Sequence, residues 1–553
     1  MKKKFIAFML AAFMLMSLSA CAEKPAPATN NGTENSEKPQ QETAPAQAGS
    51  DRIESLTIAI SNDENTLAPF TYVSGTGKVV NRLIYDTLFT TNEENEIVPW
   101  MVEDDFEVDE DTKVFTLKLK EGQKFHDGSP VTAEDIKFSF LYPADQNVAE
   151  LRKIAGKIES IDVLDELTMK FTLKETDINF MRDGFCVARI FPKALYENES
   201  DGTLVTESIG SGMYRLVEYK VGQYYKFEAV DDYFAGMPKV KTINMPIMED
   251  SNAIQQAMLS GELASATSTI GVETLDVFES LDSMKVFASA GYRPSIMNIN
   301  NGRYPLDQPE FRDALTYAID VKGIMETLYG EYVHIGTRGL IQSDLPYAAD
   351  GLDYVHDIEK ANAILDKMGY TEKNTKGIRL DSNGDALSFE ILVYSTNTGH
   401  IRTAEMMMEQ LKAVGIELNI NAMEMDTVDA YVWPDFEVSK GRDYDFSMWG
   451  WSSTLSMQYL ITLCSSDFDI GTYNVCGYKN DEFDAIVSGD FKDVSNMEEM
   501  EKVLLELQEI VSKDPPLITF GYPDNLQVCN IDQYDGWVPV KGGNIINPYS
   551  FLP

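Results

Sequence analysis

The chain is short of histidine, cysteine and positive charge. Its 553 residues hold four histidines, at 126, 334, 356 and 400, and five cysteines, at 21, 186, 464, 476 and 529. No CxxC pair and no Cys/His spacing of the zinc type occurs, which excludes a structural zinc site of that kind. GxSxG and HExxH are both missing, so a hydrolase would lack its usual nucleophile or metal motif. Only 46 Lys and Arg stand against 89 Asp and Glu, a formal net charge of −43. Nucleic-acid binding draws much of its affinity from Lys and Arg on phosphates, so this balance argues against a nucleic-acid partner. It also disfavours a bare electrostatic grip on anionic lipid. It leaves open the sign of charge inside a cleft, because the overall balance describes the outer surface. Beyond residue 20, no apolar run approaches the roughly 20 residues that a membrane-spanning helix needs.

What is present begins with Lys2, Lys3 and Lys4, an apolar run from Phe5 to Met16, and then Leu18-Ser19-Ala20-Cys21. A basic start, a short apolar core and small residues before a cleavage point make a secretory signal over residues 1–20. The cysteine placed directly after the small residues resembles a bacterial lipobox. That resemblance implies that the Cys21 thiol is acylated and becomes the new N-terminus, anchoring the protein to the outer face of the cell membrane. Residues 21–52 are rich in Pro, Ala, Glu, Gln, Asn, Thr and Ser without hydrophobic periodicity. Such a segment cannot bury enough apolar surface to offset its ordering entropy, and it reads as a disordered tether.

The remaining 500 or so residues exceed what one core usually serves, so two or three domains are expected. Strands are predicted at Ile53–Ile60, at Val114–Lys120 and at Leu167–Leu173, the last two strictly alternating. Thr132 with Asp135 three residues later predicts a capped helix from Ala133 towards Tyr142. Apolar stripes at helical spacing run through Phe311–Ile319, through Ala404, Met407, Met408 and Leu411, and through Met500–Val511. The last is stopped by Asp514-Pro515-Pro516. The methionine stripe reads as core. Mixed strands and helices without a regular βαβ rhythm indicate α/β domains.

Two short stretches invite a ligand reading. Ser74-Gly-Thr-Gly-Lys78 is similar to a phosphate loop, but Val79 follows the lysine and no earlier glycine has the right spacing. Asp381-Ser-Asn-Gly-Asp385 is similar to a calcium loop but lacks its closing glutamate, so a turn is expected. Cys464 and Cys476 are close in sequence and are compatible with either a bridge or two buried thiols.

Several stretches resemble the extracellular solute-binding proteins of family 5, the peptide- and nickel-binding receptors of ABC importers. They are Leu83-Ile-Tyr-Asp-Thr-Leu-Phe89, Phe115 through Ser139 with its Lys-Phe-His-Asp-Gly centre, Gly210-Ser-Gly-Met-Tyr-Arg215, Arg312–Asp320, Glu359–Tyr370 and Trp449-Gly450-Trp451. The resemblance implies a two-lobed, Venus-flytrap periplasmic-binding-protein fold with an extra inserted small domain. Lobe one would comprise residues 53–90, the inserted domain 91–204, and 205–285 and 515–553; lobe two would be 286–514. The chain would cross between lobes near 284–295 and again near 512–516. His126 and Asp127 resemble a catalytic pair, yet Gly128-Ser-Pro130 reads as a turn, and a structural role is expected.

Ligand is expected between the lobes, with Tyr72 on the first wall and Trp449 and Trp451 as aromatic walls on the second. Peptide-binding members hold the ligand's amine with an aspartate just after this Gly-Trp; here that position is Thr454. A hydroxyl does not replace the charge-assisted bond of a carboxylate. Asp467 and Asp469 lie further on. Arg402 falls where dipeptide-type members use arginine for the ligand carboxylate, a task suited to a guanidinium fork. The resemblance also implies a disulfide between Cys464 and Cys476. No metal and no cofactor is expected. The function implied is a monomeric substrate-binding lipoprotein that passes an oligopeptide or peptide-like solute to ABC permease subunits. A non-peptide solute such as a metal complex, or a surface adhesion or signalling role on the same fold, are the alternatives.

Overall fold

In the computed structural model, residues Arg52–Pro553 form one compact unit. The structure describes residues 52–72, 74–109, 112–146, 149–199, 201–202, 207–432, 442–450, 457–466, 474–491, 494 and 496–553. The signal segment, Cys21 and the tether therefore lie outside the described residues, as do Trp451, Thr454, Asp467 and Asp469.

Two large sheets carry the unit. The first has seven strands, in the order Met284–Ser289, Asn525–Asn530, Ser265–Ala266, Ile53–Ala59, Val240–Pro246, Tyr224–Ala229 and Tyr214–Lys220. Ile53–Ala59 pairs in parallel with Val240–Pro246, Ile53 opposite Val240. The second has six strands, in the order Val333–Ile335, Leu517–Pro523, Ser295–Ile299, Phe446–Gly450, Ser388–Tyr394 and Glu417–Met423. Ser388–Tyr394 and Glu417–Met423 run parallel, joined by the helix Thr398–Ala413. A parallel pair needs such a crossover. Ala404, Met407 and Leu411 of that helix are buried in the core beneath this sheet, with Met408 packed against them, so the methionine stripe is core.

A third sheet of four strands, Glu107–Val108, Val114–Lys118, Thr168–Leu173 and Ile158–Val163, sits within the chain between parts of the first sheet. Its inner face packs on the helix Ala133–Asp145, and Phe115, Phe140, Phe171 and Phe185 form its core. Thr132 caps this helix in a reciprocal capping box with Asp135. The turn at His126 is structural: Gly210 N–H donates to Nδ1 at 3.3 Å, and Nε2 lies 2.9 Å from the Gly212 carbonyl oxygen. Burial lowers the His126 imidazole to about 4, so it is neutral at pH 7. Asp127 accepts from Ser129 N at 2.9 Å, and Gly128 takes the positive φ that the turn requires. The segment Asp381–Asp385 is likewise a turn, with Asp381 accepting from Asn383 N and Asp385 N, both at 2.8 Å.

The chain passes between the two large sheets twice. The first passage is residues 290–294, between Met284–Ser289 and Ser295–Ile299. The second is Asp524 alone, because Leu517–Pro523 belongs to the six-stranded sheet and Asn525–Asn530 to the seven-stranded one. The second passage therefore lies after the Pro515-Pro516 pair. Those prolines end the helix Met497–Lys513, and the run after them is an almost wholly buried strand. Buried Arg312 ties this corner together: Nε donates to the Pro515 carbonyl at 2.8 Å, Nη1 to the Leu306 carbonyl at 2.8 Å, and Nη2 pairs with Asp514.

Candidate functional site

A cavity of about 580 Å³ opens in the part of the molecule built on the seven-stranded sheet. Its walls come from the loop and helix after the first strand, Leu151, residues 186–191, and the C-terminal stretch 542–546. The loop Pro69–Tyr72 is pinned from both sides. Asn81 Nδ2 donates to the Pro69 carbonyl at 2.7 Å, and the Phe70 ring packs against Tyr142, Phe191 and Tyr196. Tyr72, expected at the ligand wall, does line this cavity. It is 5% exposed, and among the described residues its hydroxyl has no hydrogen-bond partner. Burial pushes its phenol well above the ordinary range, and Tyr85, Tyr219, Glu64 and Asp63 add to the shift. Asn81 is 4% exposed, and its Oδ1 is also unpartnered among the described residues.

The helix Gly75–Ile84 forms the adjoining wall. Ser74 caps it, accepting from Gly77 N at 2.9 Å, and so the glycine-rich start is a helix cap. Lys78 and Arg82, one turn apart on the exposed side of this helix, both line the cavity. Arg82 reaches solvent, yet protein surrounds it closely enough for loss of bulk water to lower its guanidinium below its usual value. Its electrostatic neighbours are Cys186 and Tyr549, and no carboxylate is among them. Arg189 lines the cavity from the 186–191 segment. Its charge acts on Asp86, which is buried at 5% exposure and bonded by Trp100 Nε1 at 3.0 Å and Tyr233 OH at 2.7 Å. Burial raises the Asp86 carboxyl to about 6, with these bonds and Arg189 acting against the rise. Sequence reasoning missed Arg82 and Arg189, which lie more than a hundred residues apart. The available signal was Lys78 and Arg82 at i, i+4 on a helix whose other positions are mostly buried.

The wall expected on the second lobe belongs to the six-stranded sheet, and none of the residues lining this cavity comes from it. Trp449 pairs with Ile296 and Gly450 with Ser295, so this strand ends beside the first passage between the sheets. The Trp449 side chain lies outside the described residues. Arg402 is exposed near the start of the helix Thr398–Ala413, and no carboxylate among the described residues pairs with it. Contacts between the two halves border the cavity. Lys541 Nζ lies 3.8 Å from Asp344 Oδ2, and Gly542, the next residue, lines the cavity. Ile178 of the inserted domain packs against the core of the second half.

The expected disulfide is not formed. Cys464 and Cys476 are separate buried thiols, and the Cys476 thiol donates to Asn298 Oδ1 at 3.5 Å instead. Among the described residues no group of three or more His, Cys, Asp or Glu is placed to hold a metal ion, and no helix is long and apolar enough to cross a membrane.

Comparisons with known proteins agree with this geometry. Residues 96–468 match the family described as bacterial extracellular solute-binding proteins, family 5 Middle. An oligopeptide-binding protein, AppA, of Bacillus subtilis is 27% identical over 540 residues, covering 95% of this chain and 94% of its own. A heme-binding protein of Haemophilus influenzae is 24% identical over 82% of this chain and 83% of its own. Among solved structures, NikZ from Campylobacter jejuni in complex with Ni(L-His) superposes with a TM-score of 0.75 at 21% identity, over 91% of this chain and all of that one. The α/β fold with two lobes and an extra domain is therefore that of the solved family members.

Proposed function

We propose, for a chain that belongs to the bacterial extracellular solute-binding proteins of family 5, that it captures an oligopeptide or peptide-like solute for an ABC importer. As a member of this family it is an extracytoplasmic binding protein and does no chemistry of its own. The lipid anchor on Cys21, the permease partners and the monomeric state are part of the proposal. So is the division into lobes at the boundaries given above, with the second passage taken at Asp524.

The observation that carries the reading is the meeting of two sheets across two short passages, with a cavity beside the contacts between the halves. Such a pair of bodies opens and closes like a hinge. Open protein meets solute, closure buries it, and the closed form presents both lobes to the permease. Ligand has to favour the closed state, since equal affinity for both would shift nothing. Tyr72 would face it from the first lobe; Trp449, Trp451 and Arg402 would face it from the second. Thr454 in place of an aspartate favours a solute held otherwise than by a free amine.

Mass spectrometry of solute released from the purified protein tests the reading. A stoichiometric small molecule is expected, with short peptides identifying a peptide receptor. Protein that carries no solute and is stabilised by none in a broad screen contradicts it.

A further inference from the structure

The inserted domain presents one apolar side chain to a core that is not its own. In the run Lys174-Glu-Thr-Asp-Ile-Asn-Phe180, Ile178 and Phe180 are two residues apart and pack in different bodies. Phe180 is buried in the core of the inserted domain, with Phe115 and Phe171. Ile178 is half-buried and packs against the core of the second half, as Phe491 does. An aliphatic side chain on a polar loop leaves water only where another apolar surface meets it. The loop is braced to present it. Lys157 Nζ pairs with Asp177 Oδ2 at 2.6 Å, Asn179 N donates to Asp177 Oδ1 at 3.0 Å, and Lys174 Nζ donates to the Gly156 carbonyl at 2.7 Å. A cavity of about 390 Å³ lies beside the contact. Residues 156–157 and 174–179 form one side of it, and Gln458, Phe491, Val494 and Met500 form the other. A second meeting point follows at once: buried Tyr347 of the second half has Arg182 and Asp183, of the π-helix Met181–Phe185, among its charged neighbours. No chain link ties the loop to that half nearby, because the first passage, residues 290–294, comes more than a hundred residues later. The contact is therefore free to separate when the halves move apart. Beyond the π-helix the same segment becomes the 186–191 wall of the 580 Å³ cavity.

Resting on the reading above of two lobes that close on solute, we infer that the loop 174–180 is a clasp: Ile178 docks on the second half beside Phe491 and holds the two halves together at a point remote in sequence from the hinge. The inserted domain is then a working part of closure. It fixes, through one continuous segment, both the contact between the halves and part of the cavity wall.

Hydroxyl-radical footprinting read by mass spectrometry tests this on the full purified protein, as wild type, Ile178→Val and Ile178→Ser. Oxidation of Phe491 and Met500, which line the gap, should rise about 5-fold in Ile178→Ser, the factor that half-burial of an aliphatic side chain gives an opening equilibrium. Ile178→Val keeps most of the apolar contact and should stay within about 2-fold of wild type. Phe115 and Phe171, in the core of the inserted domain, should remain as protected as in wild type, which separates loss of the clasp from loss of the domain. The radius of gyration of Ile178→Ser should exceed that of wild type. Unchanged oxidation at Phe491 and Met500, oxidation that spreads to Phe115 and Phe171, or an unchanged radius overturns the inference. None of these readouts depends on solute. Failure of the clasp therefore leaves solute capture standing, and failure of capture shows instead as protein that carries no solute and is stabilised by none.

Discussion

Gly291 and Pro523 touch where the chain passes between the two halves. A β-carbon at Gly291 would lie 1.8 Å from the Pro523 carbonyl oxygen, closer than any side chain tolerates. The two passages, more than two hundred residues apart in sequence, thus form one narrow two-stranded link. A link of that kind is where domain closure concentrates its backbone change. His334 Nε2 and Asp524 Oδ1 stand 3.7 Å apart at the same place, and burial raises the Asp524 carboxyl, opposed by His334.

Gly291→Ala is accordingly expected to force the two passages apart. Overpacking of this kind costs about 1–3 kcal/mol. The thermal unfolding midpoint should fall, and the ligand-induced rise in that midpoint should shrink. An unchanged midpoint would show that the link relaxes freely.

Acid should weaken the fold through two histidines. Burial lowers both His126 and His400 to about 4, from an ordinary 6.5. Between pH 6.5 and 4 the unfolded chain binds their protons and the folded protein does not, so stability is lost as pH falls through that window. Asp86, raised to about 6 from 3.8, acts in the opposite sense: between 6 and 3.8 the folded protein holds the proton more tightly. Asp524, also raised by burial, acts as Asp86 does, whereas Asp63, Asp165, Asp381 and Glu417, all lowered, act with the histidines, and the net slope should be destabilising towards acid. Denaturant melts of His126→Gln and His400→Gln across this range should each show a shallower slope than wild type. Equal slopes in all three would reject the assignment.

Thiol chemistry tests whether Cys464 and Cys476 stay separate. Cys464, Cys476 and Cys529 are buried, and burial pushes the last two up to about 12 and Cys186 up to about 11. Thiols so raised are poor nucleophiles. Alkylation at pH 8 should be slow in the folded protein. After unfolding without reductant, peptide mapping should find one label on each of the four. A Cys464–Cys476 disulfide peptide would contradict the structure.

Trp451→Ala should abolish the stabilisation that solute gives while leaving the ligand-free midpoint where it is. Full retention of the ligand-induced shift would remove Trp451 from the site.

Much of the fold could be read from residue pattern. The alternation Val114-Phe-Thr-Leu-Lys118 became a strand, Thr132 and Asp135 a capping box, and the Met500–Val511 stripe the buried face of the helix Met497–Lys513. The second passage was not legible. Pro515-Pro516 announces the end of a helix, whereas the change of sheet comes eight residues later, after Leu517–Pro523, whose two faces are both covered and which therefore shows no alternation. The cationic cavity wall was hidden for a different reason. Lys78 and Arg82 look like the solvated side of an amphipathic helix until folding sets Arg189 across from them. The thiols of Cys464 and Cys476 depended on side-chain direction, which spacing does not encode.

Small-angle X-ray scattering of solute-free and solute-saturated protein tests enclosure between the lobes most directly. The account predicts that the radius of gyration falls when solute binds, and that Gly291→Ala blunts the change. Solute bound at full occupancy with no change in the radius would contradict it.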